Sequence, residues 1–223
     1  MIISHSKKIV VFLNPKTGTE TLSTIFKNID SVDFCDHEHG NYHRLLERNP
    51  NTSYYGYKFY SLFRNPVDRF ISAYNYQRRS VGYYQQFVYY FCGDRASEVS
   101  CADTREYRDL PPETKEMIES VTLDEFLESG FIRDTSVAGA DALFAPQVRW
   151  VSSPVRIHLL DYDDFTGAVN VLSGEFGARI TNIPRVNASV KLPSEPLTQN
   201  QIDKIQAIYK DDYAFFQSKN IIF

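Results

Sequence analysis

Residues 14–21, NPKTGTET, have the composition of an anion-binding turn. They combine one lysine, one glycine and three threonines, and they lie between an apolar run at residues 9–13 and a predicted helix at residues 22–28. Free backbone N–H groups at a helix start, together with a lysine and several hydroxyl groups, bind phosphate-like anions. Gly18 would let the backbone approach such an anion closely. For this stretch taken alone, an ordinary strand-to-helix turn is the alternative.

The same turn is not a Walker A loop, because it lacks the second glycine and the Gly-Lys-Ser/Thr ending. The chain also shows no obvious Walker B-type acid. Both features argue against a nucleotide kinase-like phosphotransferase, which is the main alternative from another enzyme class.

A second strand-to-helix turn carries Arg64. Residues 57–63 predict a strand, and Asn65 and Pro66 suit the N-cap and the first position of a following helix. Repeated strand–helix units predict a parallel sheet, whose ligands bind at the carboxyl ends of the strands. We expect Lys16 and Arg64 at that edge, where they could hold two phosphates of one nucleotide. The alternative is that Arg64 pairs with surface acids.

Composition and charge exclude several classes of protein. The 223 residues carry 24 Lys and Arg against 28 Asp and Glu, a net charge of -4, so any basic site must be local rather than a general polyanion-binding surface. No apolar stretch approaches the length of a membrane span, and no secretory segment is evident at the N-terminus. Cysteines and histidines show no zinc-site spacing. We therefore expect a cytoplasmic protein with no nucleic-acid partner, no membrane span and no metal; the sequence leaves the oligomeric state open.

The predicted fold is a single α/β domain over residues 1–223, with a central parallel sheet flanked by helices. A third strand at residues 156–160 and a helix at residues 165–176 continue the pattern. Residues 82–143 form a variable aromatic and helical insertion. Its aromatic run at residues 83–91 is predicted either as core or as a wall for an acceptor substrate.

Five short motifs give the chain a family resemblance. PKTGT at residues 15–19 is similar to the 5′-phosphosulfate loop of the PAPS-dependent sulfotransferases, and RNPVDRFISAY at residues 64–74 is similar to their 3′-phosphate motif. Weaker similarities follow at residues 145–150 (APQVRW), 183–189 (IPRVNAS) and 208–216 (IYKDDYAFF). The chain thus resembles the branch that includes many carbohydrate sulfotransferases and their bacterial relatives, and it covers most of the family pattern outside the insertion.

The resemblance implies a P-loop-like domain that moves a sulfuryl group from PAPS to an acceptor hydroxyl by in-line displacement, leaving PAP. A carbohydrate is the first choice of acceptor, and a small-molecule alcohol is the second. The remaining alternatives are the kinase-like phosphotransferase and an inactive relative that binds PAP.

The implied cofactor-binding residues lie in the two turns and in a later loop. Lys16 would also neutralise charge on the oxygen that bridges sulfate and 5′-phosphate, and Arg64 and Ser72 would hold the 3′-phosphate. The full set is Lys16, Thr17, Gly18, Thr19, Glu20, Thr21, Arg64, Ser72, Arg185 and Lys191. Glu20 departs from the family, which usually has a small residue there. Its carboxylate would repel the anion if it pointed inward, or could pair with a lysine if it pointed outward.

The general base is predicted among three histidines between the two cofactor motifs. A base for an attacking hydroxyl needs a pKa near the working pH, which favours histidine or a glutamate with a raised pKa. By the resemblance His39, six residues before Leu45, is the best match and His37 the second, whereas His43 is expected on a helix. The predicted catalytic residues are therefore Lys16, His39 and His37. A solvated loop histidine is the alternative for each.

Overall fold

The computed structural model describes residues 1–36, 39–80, 83–92, 107–133, 140–184 and 196–223. They divide into two compact units. The first comprises Met1–Arg69, Pro146–Ala188 and Asp211–Phe223, and the second comprises Phe70–Ala145 and Ser189–Lys210. The predicted insertion at residues 82–143 belongs to the second unit, and the assignment of the whole chain to one domain stays a prediction.

Within the described residues, a five-stranded sheet forms the centre of the first unit. Its strands are β1 (Ile2–Ser4), β2 (Ile9–Phe12), β3 (Phe34–Cys35), β4 (Lys58–Phe63) and β5 (Ile157–Asp161). Their spatial order is β3-β1-β2-β4-β5. The pairs β2–β4 and β4–β5 are parallel, which confirms the predicted parallel centre. The sequence did not predict β1, which pairs antiparallel with β2 and β3 and extends the sheet at one side.

Eleven α-helices occur in the described ranges. They are α1 (Thr19–Phe26), α2 (Tyr42–Arg48), α3 (Pro66–Arg79), α4 (Tyr84–Cys92), α5 (Pro112–Ser120), α6 (Leu123–Glu128), α7 (Ala140–Phe144), α8 (Val148–Val151), α9 (Phe165–Phe176), α10 (Gln199–Ile208) and α11 (Lys210–Gln217). α9 has the predicted bounds and ends at Gly177, whose φ of 67° suits glycine. The last described segment forms two helices, α10 and α11, rather than one. The break is at Tyr209, a fully buried residue whose hydroxyl donates to the main-chain oxygen of Phe144.

β2 is buried on both faces of the sheet, which explains its continuous apolar run. On one face, Val11 packs in a cluster with Leu22 and Phe26 of α1 and with residues of α9. On the other face, Val10 packs in a cluster with Leu45 of α2. Alternate residues of a strand point to opposite faces, so a strand covered on both sides must be apolar at every position. The helices on both faces confirm the predicted flanked sheet, and the predicted anion-binding turn begins at the end of β2.

The second unit is helical and has its own core. Tyr84 and Val88 of α4 are fully buried against α5 residues such as Ile118. Phe87 stacks on Phe126 of α6, with ring centroids 5.9 Å apart. The inward side of the aromatic run thus forms core, which is one of the two predicted alternatives for that segment.

None of the helices in the described ranges combines the length and the apolar character that a membrane span requires.

Candidate active site

The turn after β2 is held in shape by Asn14. Its side-chain Nδ2 donates to the main-chain oxygen of Leu62 in β4 at 2.9 Å, so the ends of two parallel strands are tied together. The main-chain oxygen of Asn14 accepts the hydroxyls of Thr17 and Thr19 at 2.9 and 2.8 Å. Because a hydroxyl has one hydrogen to donate, these two threonines use theirs to fix the turn. Their side chains are buried, and the N–H groups of the turn carry the remaining capacity to bind an anion.

Two residues of the turn adopt left-handed backbone conformations, Lys16 with φ 64° and Gly18 with φ 80°. A Cβ at position 18 would lie 2.5 Å from the Cε2 atom of Phe165, so the position requires glycine for space as well as for conformation. Gly18 is the N-cap of α1 and supplies no side-chain hydrogen bond to its first turn. The first N–H groups of α1 thus have no cap side chain, which is the arrangement of an anion site at a helix N-terminus.

Arg64 follows β4 and reaches the first turn. Its Nη1 atom donates to the main-chain oxygen of Lys16 at 3.4 Å, and its guanidinium carbon lies 4.5 Å from the ring centroid of Tyr162. Its Nε atom is buried and has no hydrogen-bond partner within the described ranges. The structure therefore brings the two predicted basic residues together at the carboxyl ends of β2 and β4.

The charged side chain of Lys16 is poorly solvated. Burial and, to a smaller extent, the neighbouring charge of Arg64 lower the pKa of Lys16 to about 8, while the negative charge of Glu20 acts in the opposite direction. The charge of Glu20 also acts to raise the pKa of His39. Glu20 thus acts electrostatically on Lys16 and His39, two of the three predicted catalytic residues, so its charge belongs to the site.

His39 is fixed to the end of the same strand. Its Nδ1 atom lies 2.9 Å from the main-chain oxygen of Leu13, directly before the turn. A carbonyl oxygen only accepts, so Nδ1 carries the hydrogen, and Nε2 is the ring's acceptor in the neutral form. Burial lowers the pKa of His39, and the ring lies edge-on to Trp150 with centroids 6.1 Å apart. The arrangement presents a neutral imidazole whose Nε2 can take a proton.

The structure gives positions for some of the other predicted site residues, and the rest lie outside the described ranges. Thr21 is buried in α1. Ser72 lies on α3 and belongs to the second unit. His37, Arg185 and Lys191 lie outside the described residues, so their predicted roles stay predictions. His43, which was expected on a helix, is the second residue of α2.

Sequence analysis missed three residues that contact Arg64 or its neighbours. Tyr162 lies under the Arg64 guanidinium, Gln147 contacts the Arg64 main chain, and Asp212 contacts Gln147. Gln147 and Asp212 stand within segments that carry the family resemblance, but no role was assigned to them. The available signal was a charged residue, Asp212, near the apolar positions of α11.

Comparison with known proteins identifies a family for most of the chain. The family model described as the sulfotransferase family matches residues 1–162, a span that contains both turns, His39 and Tyr162. Neither the curated proteins nor the solved structures gave a match. Since the matched span is more than half of the chain and contains the site, this chain belongs to the sulfotransferase family.

Proposed function

We propose that this chain moves a sulfuryl group from PAPS to an acceptor hydroxyl and leaves PAP. The single observation that carries the proposal is the convergence of Arg64 on the turn of Lys16, where its Nη1 atom donates to the Lys16 main-chain oxygen. Two cations at neighbouring strand ends suit a nucleotide with two separate phosphate groups. Membership of a sulfotransferase family supports the sulfuryl group as the group transferred.

The residues at the site fit such a cofactor. The start of α1 lacks a capping side chain, and the buried Arg64 Nε lacks an acceptor among the described residues. An N–H left without an acceptor costs free energy, which an anion oxygen would recover. Lys16 and the N–H groups from Gly18 to Thr21 would hold the 5′ side, and Arg64 would hold the 3′-phosphate. Ser72, Arg185 and Lys191 join this set on the resemblance alone.

PAPS, when bound, supplies the sulfuryl group and a nucleotide leaving group. Lys16 in its charged form would stabilise the negative charge that develops on the leaving side. His39 would accept the proton of the acceptor hydroxyl at Nε2, and the Leu13 carbonyl would steady the ring through Nδ1. The geometry supports His39 over His43, which lies exposed on α2.

A carbohydrate acceptor is the first choice and rests on the resemblance; a small-molecule alcohol is the second. Incubating the enzyme with ³⁵S-labelled PAPS and a panel of glycans, sugars and simple alcohols tests both. Label should pass to at least one hydroxyl-bearing acceptor, and the acceptors that take it separate the two choices.

Glu20 favours one alternative, an inactive relative that binds PAP, because its negative charge acts on Lys16 and His39. Binding of PAP without transfer to any acceptor of the panel would select that alternative. Thermal-shift measurements with PAP, ATP and Mg-ATP distinguish these possibilities from a kinase-like phosphotransferase. PAP should stabilise a sulfotransferase or an inactive PAP-binding relative, whereas only Mg-ATP should stabilise a kinase-like protein.

A further inference from the structure

The main chain of Arg64 is held at both of its polar groups by one side chain. The N–H of Arg64 donates to Oε1 of Gln147 at 3.0 Å, and Nε2 of Gln147 donates to the Arg64 main-chain oxygen at 2.8 Å. Gln147 is fully buried, so neither amide atom has water as a substitute partner. The amide therefore fixes the backbone between β4 and α3, the point from which the Arg64 side chain begins.

Gln147 is held in turn by a buried carboxylate. The N–H groups of Gln147 and Val148 donate to the two oxygens of Asp212, each at 2.8 Å. Asp212 lies on α11 and is fully buried. Burial raises its pKa, whereas the two N–H bonds and the charge of Arg69 favour the ionised form. The carboxylate thus anchors the start of α8, where Gln147 stands.

These contacts form a continuous path from α11 to the site. Two hydrogen bonds join Asp212 to Gln147 and Val148, and two more join Gln147 to Arg64, all of 2.8–3.0 Å. Beyond this path, the guanidinium of Arg64 rests on Tyr162 and on the Lys16 carbonyl. An arginine has several rotatable bonds, so the place of its guanidinium depends on where and in which direction its backbone is fixed.

We propose that Gln147 and Asp212 are positioning residues that set the Arg64 guanidinium for the 3′-phosphate of the cofactor. This inference rests on the proposed function, because its first readout is affinity for that phosphate. Neither residue touches the nucleotide; both act through Arg64. Their loss should therefore weaken recognition of the 3′-phosphate and spare recognition of the rest of the nucleotide.

The experiment compares two nucleotides that differ in that phosphate. Calorimetry gives Kd for PAP and for adenosine 5′-monophosphate, which lacks the 3′-phosphate, in the wild type, Gln147→Leu and Asp212→Asn. We expect PAP affinity to fall by about 10- to 100-fold while the affinity for adenosine 5′-monophosphate changes by less than about twofold. An equal loss for both nucleotides would overturn the inference, since a general structural defect predicts it.

Gln147→Glu provides a milder variant that should fold if the others do not. An ionised Glu at this position can still accept from the Arg64 N–H but has no hydrogen for the Arg64 carbonyl. Protonation restores that donor. Relative to the wild type at each pH, its PAP affinity should therefore recover as the pH falls, and a constant ratio would contradict the inference.

A double variant and a matched control sharpen the assignment. Gln147→Leu should cause no further loss of PAP affinity in an Arg64→Ala background, whereas additive losses would show that Gln147 does not act through Arg64. Gln77→Leu is the control, because Gln77 is also fully buried and also donates to a main-chain oxygen, that of Tyr83. It should leave the ratio of the two affinities unchanged.

Failure of the proposed function would be visible separately. If the wild type binds no PAP, the proposed function is wrong, and the positioning is then tested by crystal structures of the ligand-free wild type and Gln147→Leu. A guanidinium displaced from Tyr162 in the variant would support the positioning. A guanidinium that keeps its place over Tyr162 would overturn it.

Discussion

His39 and Leu13 are joined by a 2.9 Å hydrogen bond between the ring Nδ1 and the main-chain oxygen. The bond assigns the ring hydrogen to Nδ1 and leaves Nε2 as the acceptor, the state that a general base requires. Leu13 also leads directly into the predicted anion-binding turn. The predicted base and the predicted cofactor site are therefore built on the same strand end.

His39→Ala tests this relationship directly. We expect turnover to fall by about 100- to 10,000-fold, because no group remains to take the proton, while Kd for PAP stays within a few-fold of the wild type. Steady-state kinetics and calorimetry give the two quantities. His43→Ala is the matched control and should retain turnover, since that side chain is exposed on α2. If turnover survives in His39→Ala and is lost in His37→Ala, the base is His37.

The pH dependence of kcat/KM should be bell-shaped. His39 must be neutral to accept a proton, and burial lowers its pKa below the ordinary 6.5, so the acidic limb should lie below pH 6.5. Lys16 must be charged, and burial lowers its pKa to about 8, so activity should be lost as the pH rises through about 8. An alkaline limb near the ordinary lysine value of 10.5 would contradict the role given to Lys16.

Lys16→Met should abolish turnover and raise the free energy of unfolding. The pKa of Lys16 is lowered in the folded protein, so the unfolded chain binds a proton that the folded chain has lost between about pH 8 and 10.5. Stability therefore rises with pH across that window, and below it the buried charge is destabilising. Methionine removes this charge. Chemical denaturation at pH 7 should show a more stable variant, whereas Lys27→Met, at an exposed lysine, should show little change. A less stable Lys16→Met would contradict the expected cost of burying this charge.

Glu20→Gln should tighten PAP binding and shift the pH profile. Removing the carboxylate removes repulsion of the bound anion, and it also removes the charge that raises the pKa of both Lys16 and His39. Both limbs of the profile should therefore move to lower pH. Calorimetry and pH-dependent kinetics measure these changes. Weaker PAP binding in this variant would indicate that Glu20 supports the site, for example by holding the turn.

Gly18→Ala should destabilise the protein and weaken PAP binding together. The backbone at this position has φ 80°, which costs an alanine about 1 to 2 kcal/mol, and the new Cβ would meet Phe165 at 2.5 Å. Gly174→Ala is the matched control, because its Cβ would enter open space inside α9 and should stabilise the helix by about 0.5 to 1 kcal/mol. Thermal unfolding distinguishes them, and equal effects of the two substitutions would refute the special role of position 18.

Local sequence signals predicted much of the fold. The apolar run of β2 is buried on both faces, and the N-cap Asn65 accepts from the N–H of Val67 at 2.9 Å, as expected for the start of α3. These features depend on residues that are close in the sequence, so short segments are enough to predict them. β1 escaped prediction because three residues, Ile2–Ser4, form a strand only through their pairing with β2 and β3.

The sequence predicted the residue types of the candidate site but not the residues that hold them in position. Lys16 and Arg64 follow apolar strands, so a parallel sheet brings them to one edge. The contact of Gln147 with Arg64 spans 83 residues and that with Asp212 spans 65, and no local pattern encodes such pairs. The direction of His39 likewise depends on a carbonyl 26 residues earlier.

Calorimetric titration of PAP in the absence of magnesium tests the central claim most directly. The proposed site predicts that the wild type binds one PAP per chain, that adenosine 5′-monophosphate binds more weakly, and that Arg64→Ala removes the difference between the two nucleotides. A wild type that binds no PAP, or that binds a nucleotide only as Mg-ATP, would contradict the account.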